Sequence, residues 1–382
     1  MIKKIIFFVE STFNQRDYNR FGFEILKSRG FEVHVWDFTP LLRSKVYHNY
    51  SVPDAIKYKY HELIDDKSDF NKLAEFMDTN VVAVMLISLN TDTKFIFDQL
   101  IKTQVLFGFC LLGLIPCKPK QLFEKIISLV QNPKLLLSKL RSSLQIRINA
   151  PIYPHFIVAG GKKASQDNRY PKNNHTRLIK THTLDYDLFL NEEFKGFAPV
   201  VNGEYAVFID EFVPFHPDYL HMNIKPDCSS EDYYPDINRF FDKVESEFDT
   251  KVIIAAHPRS DYHKKENPYN RRQCIFNETI NLIKYSKFVI VHASTAINFA
   301  ILYNKAMLFV SSNKYSERYK KSIQFYSSVF EKKPINVGNS ITDIDSELIV
   351  NKNLYKSYRE QYIKEADTPE KPVWEIFVDN IN

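Results

Sequence analysis

Short, continuous apolar runs alternate with helical patterns along this chain, and they do so twice. In the first third Lys4–Val9 reads as a strand, and Tyr18–Ser28 carries Phe21, Ile25 and Leu26 at helical spacing until Gly30 closes it. Phe31–Phe38 is a second strand; Val81–Ser88 and Val105–Gly113 are apolar throughout, as strands buried on both faces are. Helical patterns lie near Asp92–Lys102 and Lys120–Val130, and Pro151–Ala159 is a further strand before Gly160-Gly161. A second alternation opens at Glu204. Strands at Tyr205–Asp210, Lys251–Ala256, Phe288–His292 and Ala306–Ser311 interleave with helices at Ser230–Glu247, Thr279–Tyr285 and Thr295–Asn304. This is the pattern of a parallel, doubly wound sheet, written twice without sequence repetition.

At 382 residues the chain is long enough for two domains. The expected fold class is α/β in the GT-B arrangement of glycosyltransferases: two Rossmann-like domains, residues 1–195 and 196–365, with a ligand crevice at the carboxyl ends of the strands. With 51 Lys+Arg against 46 Asp+Glu, the net charge of +5 is too small to imply a nucleic-acid partner. The four cysteines, Cys110, Cys117, Cys228 and Cys274, form no CxxC and no zinc-like spacing, so no metal is expected and a reducing cytoplasm is the natural compartment. The apolar run at Ile5–Val9 is too short for a signal peptide, and the longest, Val105–Ile115, is too short to span a bilayer. One segment, 116–147, is basic, with Lys134, Lys139 and Arg141 interleaved with Leu135, Leu136, Leu137 and Leu140. It reads either as a surface helix whose leucines face the core or as an amphipathic helix on an anionic membrane, peripheral at the inner face of the inner membrane.

Three clusters fall where strands of the second half end. Asp210 and Glu211 close an apolar strand, with His216 in a His-Pro step beyond them; a strand-end carboxylate is well placed as nucleophile or base, and a turn built on two prolines is the plainer reading. If Asp210 points into the crevice, strand alternation turns Glu211 away. His257-Pro258-Arg259 ends the next strand, where an imidazole and a guanidinium can hold a phosphate leaving group. Ser294-Thr295 stands at a strand-to-helix turn, either as a simple cap or as an anion site. Asp185-Tyr186-Asp187 has the spacing of metal-dependent transferases but reads as structural or substrate-facing. Walker A, GxGxxG, GxSxG and HExxH are absent.

His-Pro after one strand and a Ser-Thr pair at a later strand-to-helix turn resemble the HP and SS motifs of bacterial GT-B transferases that use CMP-activated sugars. These are the sialyltransferases and the Kdo transferases of capsule and lipopolysaccharide assembly. The resemblance covers roughly Asp185–Ser311, with Ser294-Thr295 departing conservatively from a double serine. It implies that His257, Pro258, Arg259, Ser294 and Thr295 bind the CMP phosphate. The Asp210–Asp218 segment looks most like the retaining β-Kdo transferases, which makes Asp210 the nucleophile, with Glu211 and His216 beside it. Residues 366–382 resemble the segment that crosses back to the first domain in GT-B enzymes. The resemblance thus implies a CMP-sugar donor, a glycan or lipid-linked glycan acceptor and no cofactor. An inverting CMP-sialic-acid-type transferase and a non-catalytic glycan- or nucleotide-binding assembly protein are the alternatives.

Overall fold

The computed structural model describes residues 2–49, 54–116, 151–222, 224–262, 264–339 and 344–381. Most of the basic segment 116–147, Cys117 and the helix expected at Lys120–Val130 lie outside the described residues. Two separate parallel sheets carry the fold. The first holds β1 (Lys4–Val9), β2 (Glu32–Asp37), β3 (His61–Leu63), β4 (Val81–Met85), β5 (Leu106–Leu111), β6 (Phe156–Gly160) and β7 (Arg177–Thr181), in the order β3-β2-β1-β4-β5-β6-β7. The second holds β8 (Tyr205–Ile209), β9 (Lys251–Ala255), β10 (Cys274–Ile275), β11 (Val289–Val291), β12 (Met307–Ser311) and β13 (Ile335–Asn336), in the order β10-β9-β8-β11-β12-β13. Each order runs outward in both directions from its first strand, as in dinucleotide-binding sheets. The reversal points lie between β1 and β4 and between β8 and β11, where such sheets open a ligand crevice.

Both faces of each sheet are covered. Ile5, Phe7 and Val9 enter one apolar cluster while Ile6 and Phe8 enter another across the sheet. In the same way Val207 and Ile209 face one cluster of the second half, and Ala206 and Phe208 the other. Burial on both sides is why these strands read as unbroken apolar runs. The helix expected over Tyr18–Ser28 is in fact two, Gln15–Arg20 and Phe23–Ser28, parted at Gly22. Gly22 has φ +60°, and a Cβ there would stand 2.3 Å from Cδ1 of Trp374. Trp374 belongs to the last helix, Val373–Ile381, which buries Val373, Trp374, Ile376, Phe377 and Val378 in the core of the first half.

The chain passes between the halves along two adjacent stretches. Thr183 N–H donates to the Ile363 carbonyl at 2.9 Å, and His182 bridges Lys364. Gly160 and Gly161 sit against this crossing: Cβ atoms there would meet His182 and Tyr362 backbone at 2.8 Å. The helix Leu184–Lys195, which follows the crossing, sends Tyr186 and Leu190 into the core of the second half. Among the described residues no helix is long and apolar enough to cross a membrane.

Candidate functional site

The second half builds its crevice edge around the end of β8. That strand lies between β9 and β11, and the two residues after it tie down the turn of one neighbour each. Asp210 accepts the His257 N–H at Oδ2 (3.1 Å), and at Oδ1 the Phe212 N–H (2.8 Å) and the Tyr269 hydroxyl (2.8 Å). Glu211 accepts the Ala293 N–H (2.6 Å) and the Tyr319 hydroxyl (2.9 Å). Asp210 thus fixes the His-Pro-Arg turn after β9, and Glu211 fixes the Ala-Ser-Thr turn after β11. Burial raises the pKa of Asp210 and pushes Glu211 up to about 7.

This corrects two expectations. Asp210 is 3% exposed, and three of roughly four lone-pair positions on its carboxylate are taken, so it does not present a nucleophile to the crevice. Glu211 does not turn away from the site; it holds one of its turns. Both carboxylates tie down neighbouring turns.

The His-Pro-Arg turn is closed by the Ser260 N–H and hydroxyl on the His257 carbonyl, at 2.9 and 2.8 Å. His257 Nδ1 accepts the Arg259 N–H (3.2 Å), which leaves the ring proton on Nε2. Burial, with His216 and Arg259 beside it, pulls the His257 pKa down to about 3, so the imidazole is a neutral donor and not a cation. Arg259 supplies the charge: its guanidinium reaches Asp218 at 3.1 Å and His216 Nε2 at 3.2 Å. The rings of His216 and His257 lie 4.9 Å apart, so His216 belongs to this cluster. At the neighbouring turn the Ser294 hydroxyl accepts the Ala296 N–H at 3.2 Å just before the short helix Ile297–Leu302, which has no side-chain cap, while Thr295 is exposed.

Between the halves lies a cavity of about 240 Å³. Of the residues expected from sequence, Thr295 lines it; the His-Pro-Arg turn stands outside. Its polar wall also includes Arg16, Arg20, Asp185 and Asn298. Asp185 joins the two halves: Oδ1 accepts from Arg20 at 3.1 Å and Oδ2 from Asn298 Nδ2 at 2.9 Å. Asp187, its partner in the D-x-D spacing, instead accepts the Val373 N–H at the start of the last helix and, desolvated there, is raised to about 7. The pair is therefore split between cavity and packing. Arg16 makes no ion pair among the described residues. The crevice walls and Arg20 hold its pKa down, to about 10, and Arg259 acts on it from the opposite half. It remains charged at neutral pH.

Arg16, Arg20 and Asn298 were not singled out from sequence. Arg16 and Arg20 sit four apart on the first helix after β1, capped by the Asn14 side chain on the Asp17 N–H. Their position after the first strand of a doubly wound sheet was the signal available. His292, at the end of the strand expected before the Ser-Thr turn, is fully buried between the Val310 carbonyl (2.7 Å) and the Tyr233 hydroxyl (3.1 Å); burial pulls its pKa down to about 4 and keeps it neutral.

No protein-family model and no curated protein matches the sequence. Solved structures with a similar fold include the UDP-GlcNAc 2-epimerase of Neisseria meningitidis bound to UDP-GlcNAc, at 11% identity and TM-score 0.49, covering 100% of this chain and 99% of that one. The UDP-GlcNAc 2-epimerase of Methanocaldococcus jannaschii is similar at 13% identity and TM-score 0.47, covering 99% of each chain. MurG of Acinetobacter baumannii is similar at 8% identity and TM-score 0.44, covering 98% and 99%. At these identities and scores the likeness adds nothing to what the strand orders establish: two parallel, doubly wound sheets in the GT-B manner.

Proposed function

We propose that the protein is a glycosyltransferase that moves Kdo, or a related 2-keto sugar acid, from its CMP donor to a bacterial surface-glycan acceptor such as lipopolysaccharide or capsule. The observation that supports this reading is the juxtaposition at the reversal point of the second sheet. His257 offers a neutral Nε2–H donor, Arg259 a guanidinium, and Ser294-Thr295 hydroxyls on the adjoining turn, all held by the Asp210-Glu211 pair. Fixed donors and one cation at strand ends suit a single phosphate that must depart with the nucleotide. Asp210 contributes by holding the donor turn in place, not by attacking the sugar.

A calorimetric screen of CMP, UDP and GDP sugars tests the donor. CMP-Kdo is expected to bind and, with an acceptor present, to release CMP. In the His257→Ala variant CMP affinity is expected to fall at least tenfold, since a hydrogen bond to a charged group is worth roughly 1.5–3 kcal/mol. Unchanged CMP affinity in that variant, or binding confined to UDP or GDP sugars, defeats the assignment.

A further inference from the structure

The cavity between the halves adjoins the phosphate-type turn at Thr295 and has a chemistry of its own. Its lining holds two cations, Arg16 and Arg20, against one carboxylate, Asp185, so one positive charge is left over. It also holds an acceptor without a donor. Asn298 is 5% exposed, its Nδ2 is spent on Asp185, and its buried Oδ1 has no partner. A buried acceptor left unpaired is costly, so the site favours a ligand that donates a hydrogen bond there. An ionised phosphate cannot: it carries no donor, and Asp185 would repel it. Hydroxyl groups can donate both to Asn298 Oδ1 and to the remaining lone pairs of Asp185. Meanwhile Phe21, Leu112 and Trp374 supply apolar wall for the carbon skeleton. The volume, about 240 Å³, falls below the roughly 300–1,000 Å³ of sites for drug-sized ligands, so it takes a single ring and not a whole nucleotide sugar.

We infer that this cavity is the seat of one carboxylated, polyhydroxylated ring, its hydroxyls on Asn298 and Asp185 and its carboxylate on Arg16. This rests on the transferase reading and names the sugar-binding part of the same crevice. Two sources share this chemistry: the transferred unit of the donor, and a sugar acid at the end of the acceptor.

The test is a cycle between ligand and residue, which a merely structural role would not move. Free Kdo and its methyl ester are titrated by NMR into the wild-type protein and the Arg16→Gln variant, with and without saturating CMP. Arg16 is an exposed residue, so the variant is expected to fold. The wild type is expected to bind the acid at least tenfold more tightly than the ester, and Arg16→Gln to remove that preference while leaving ester binding unchanged. Asn298→Ala is expected to weaken acid and ester alike by fivefold or more. If CMP-Kdo binds more tightly than CMP and Arg16→Gln erases the gain, the seat takes the donor's sugar; if the free acid binds alongside CMP with no such gain, it takes the acceptor's. Equal loss of acid and ester in Arg16→Gln overturns the inference, as does failure of Kdo to bind to protein that binds CMP. Failure of CMP itself to bind counts against the donor reading instead.

Discussion

The two halves share a strand order and differ in what they place at the ends of their central strands. In the first half Glu10 follows β1; it accepts the N–H (3.2 Å) and hydroxyl (3.1 Å) of Ser88, just beyond neighbouring β4, and meets Arg43 at 2.9 Å. In the second half β8 ends in two carboxylates, and they fasten the turns of both neighbours. The material around them differs too. Phe7, Phe8, Phe23, Phe38, Phe70 and Phe97 fill the first half, whereas Tyr233, Tyr262, Tyr269 and Tyr315 crowd the end of β8, with Tyr319 packed against them. Phenylalanine gives shape alone; tyrosine gives shape plus a hydroxyl that can satisfy a buried carboxylate. The end of β8 is therefore built to hold carboxylates among tyrosine hydroxyls, which suits a fixed set of donors around a leaving group. The first half contributes Arg16 and Arg20 from a helix with no buried residue.

The largest effect is expected where the buried carboxylate is removed. Asp210→Ala leaves Phe212 N–H, His257 N–H and the Tyr269 hydroxyl without their acceptor, a loss of roughly 3–5 kcal/mol measured by urea unfolding. Asp210→Asn is the sharper probe. An amide keeps one acceptor oxygen and turns a donor towards the other site, so the loss should be about 1–3 kcal/mol even though the shape is conserved. A melting temperature unchanged in Asp210→Asn, with activity abolished, would restore Asp210 as a nucleophile and end its role as a staple.

The next effect depends on pH. Glu211 is raised to about 7 in the folded protein, above the ordinary glutamate value of 4.5. The unfolded chain therefore releases this proton first, and the wild type loses stability as pH climbs from about 4.5 to 7. Glu211→Gln does not titrate. The stability of the variant relative to wild type should grow between pH 4 and pH 8, by at most on the order of 3 kcal/mol. A constant difference across that range would mean that Glu211 is solvated and the second half is not the drier one.

How far the sequence discloses this comparison depends on the kind of residue. Central strands are legible because burial on both faces writes them as continuous apolar runs: β1 has the expected bounds, and β4, β5, β8 and β9 lie within theirs. Edge strands β3, β10 and β13 span only two or three residues and leave no pattern. Strand β7 is missed because Arg177, Leu178 and Lys180 are exposed, so its sequence reads as polar. In the site, strand-end position correctly marks the residues of the three turns, but not the direction of Asp210 and Glu211. Strand alternation assigns sides only within a strand, and β8 stops at Ile209. Beyond it Phe212 adopts φ +50°, and the carboxylates meet the N–H groups of Phe212, His257 and Ala293. The cavity is harder still, because Arg16 and Asn298 come from different halves and meet only through the fold.

A probe of the first half ranks third. Gly22→Ala forces a side chain into φ +60° and into the indole of Trp374, whose N–H donates to the Arg20 carbonyl at 2.8 Å. The expected cost is about 2 kcal/mol, read as a lower unfolding midpoint, with CMP affinity unchanged because the phosphate-type turn lies in the other half. A matching loss of CMP affinity would show that the two halves do not act separately.

The smallest effect is expected at Glu10, the counterpart of Glu211. Glu10→Gln keeps an amide oxygen for the Ser88 N–H and hydroxyl, so the turn after β4 stays fastened. What it loses is the charge facing Arg43, whose side chain is 48% exposed. A half-solvated ion pair contributes about 0–1 kcal/mol, and salt screens it further. The variant should therefore unfold within about 1 kcal/mol of wild type at low salt, and the difference should shrink at high salt. The contrast is between the same residue type beyond the central strand of each half: both are partly buried, but Glu10 faces a half-exposed Arg43, whereas Glu211 faces the Ala293 N–H and the Tyr319 hydroxyl. If Glu10→Gln proved as costly as Asp210→Asn, Glu10 would join Asp37, fully buried at the end of β2, as a second dry carboxylate of the first half, and the contrast between the two central strand ends would collapse.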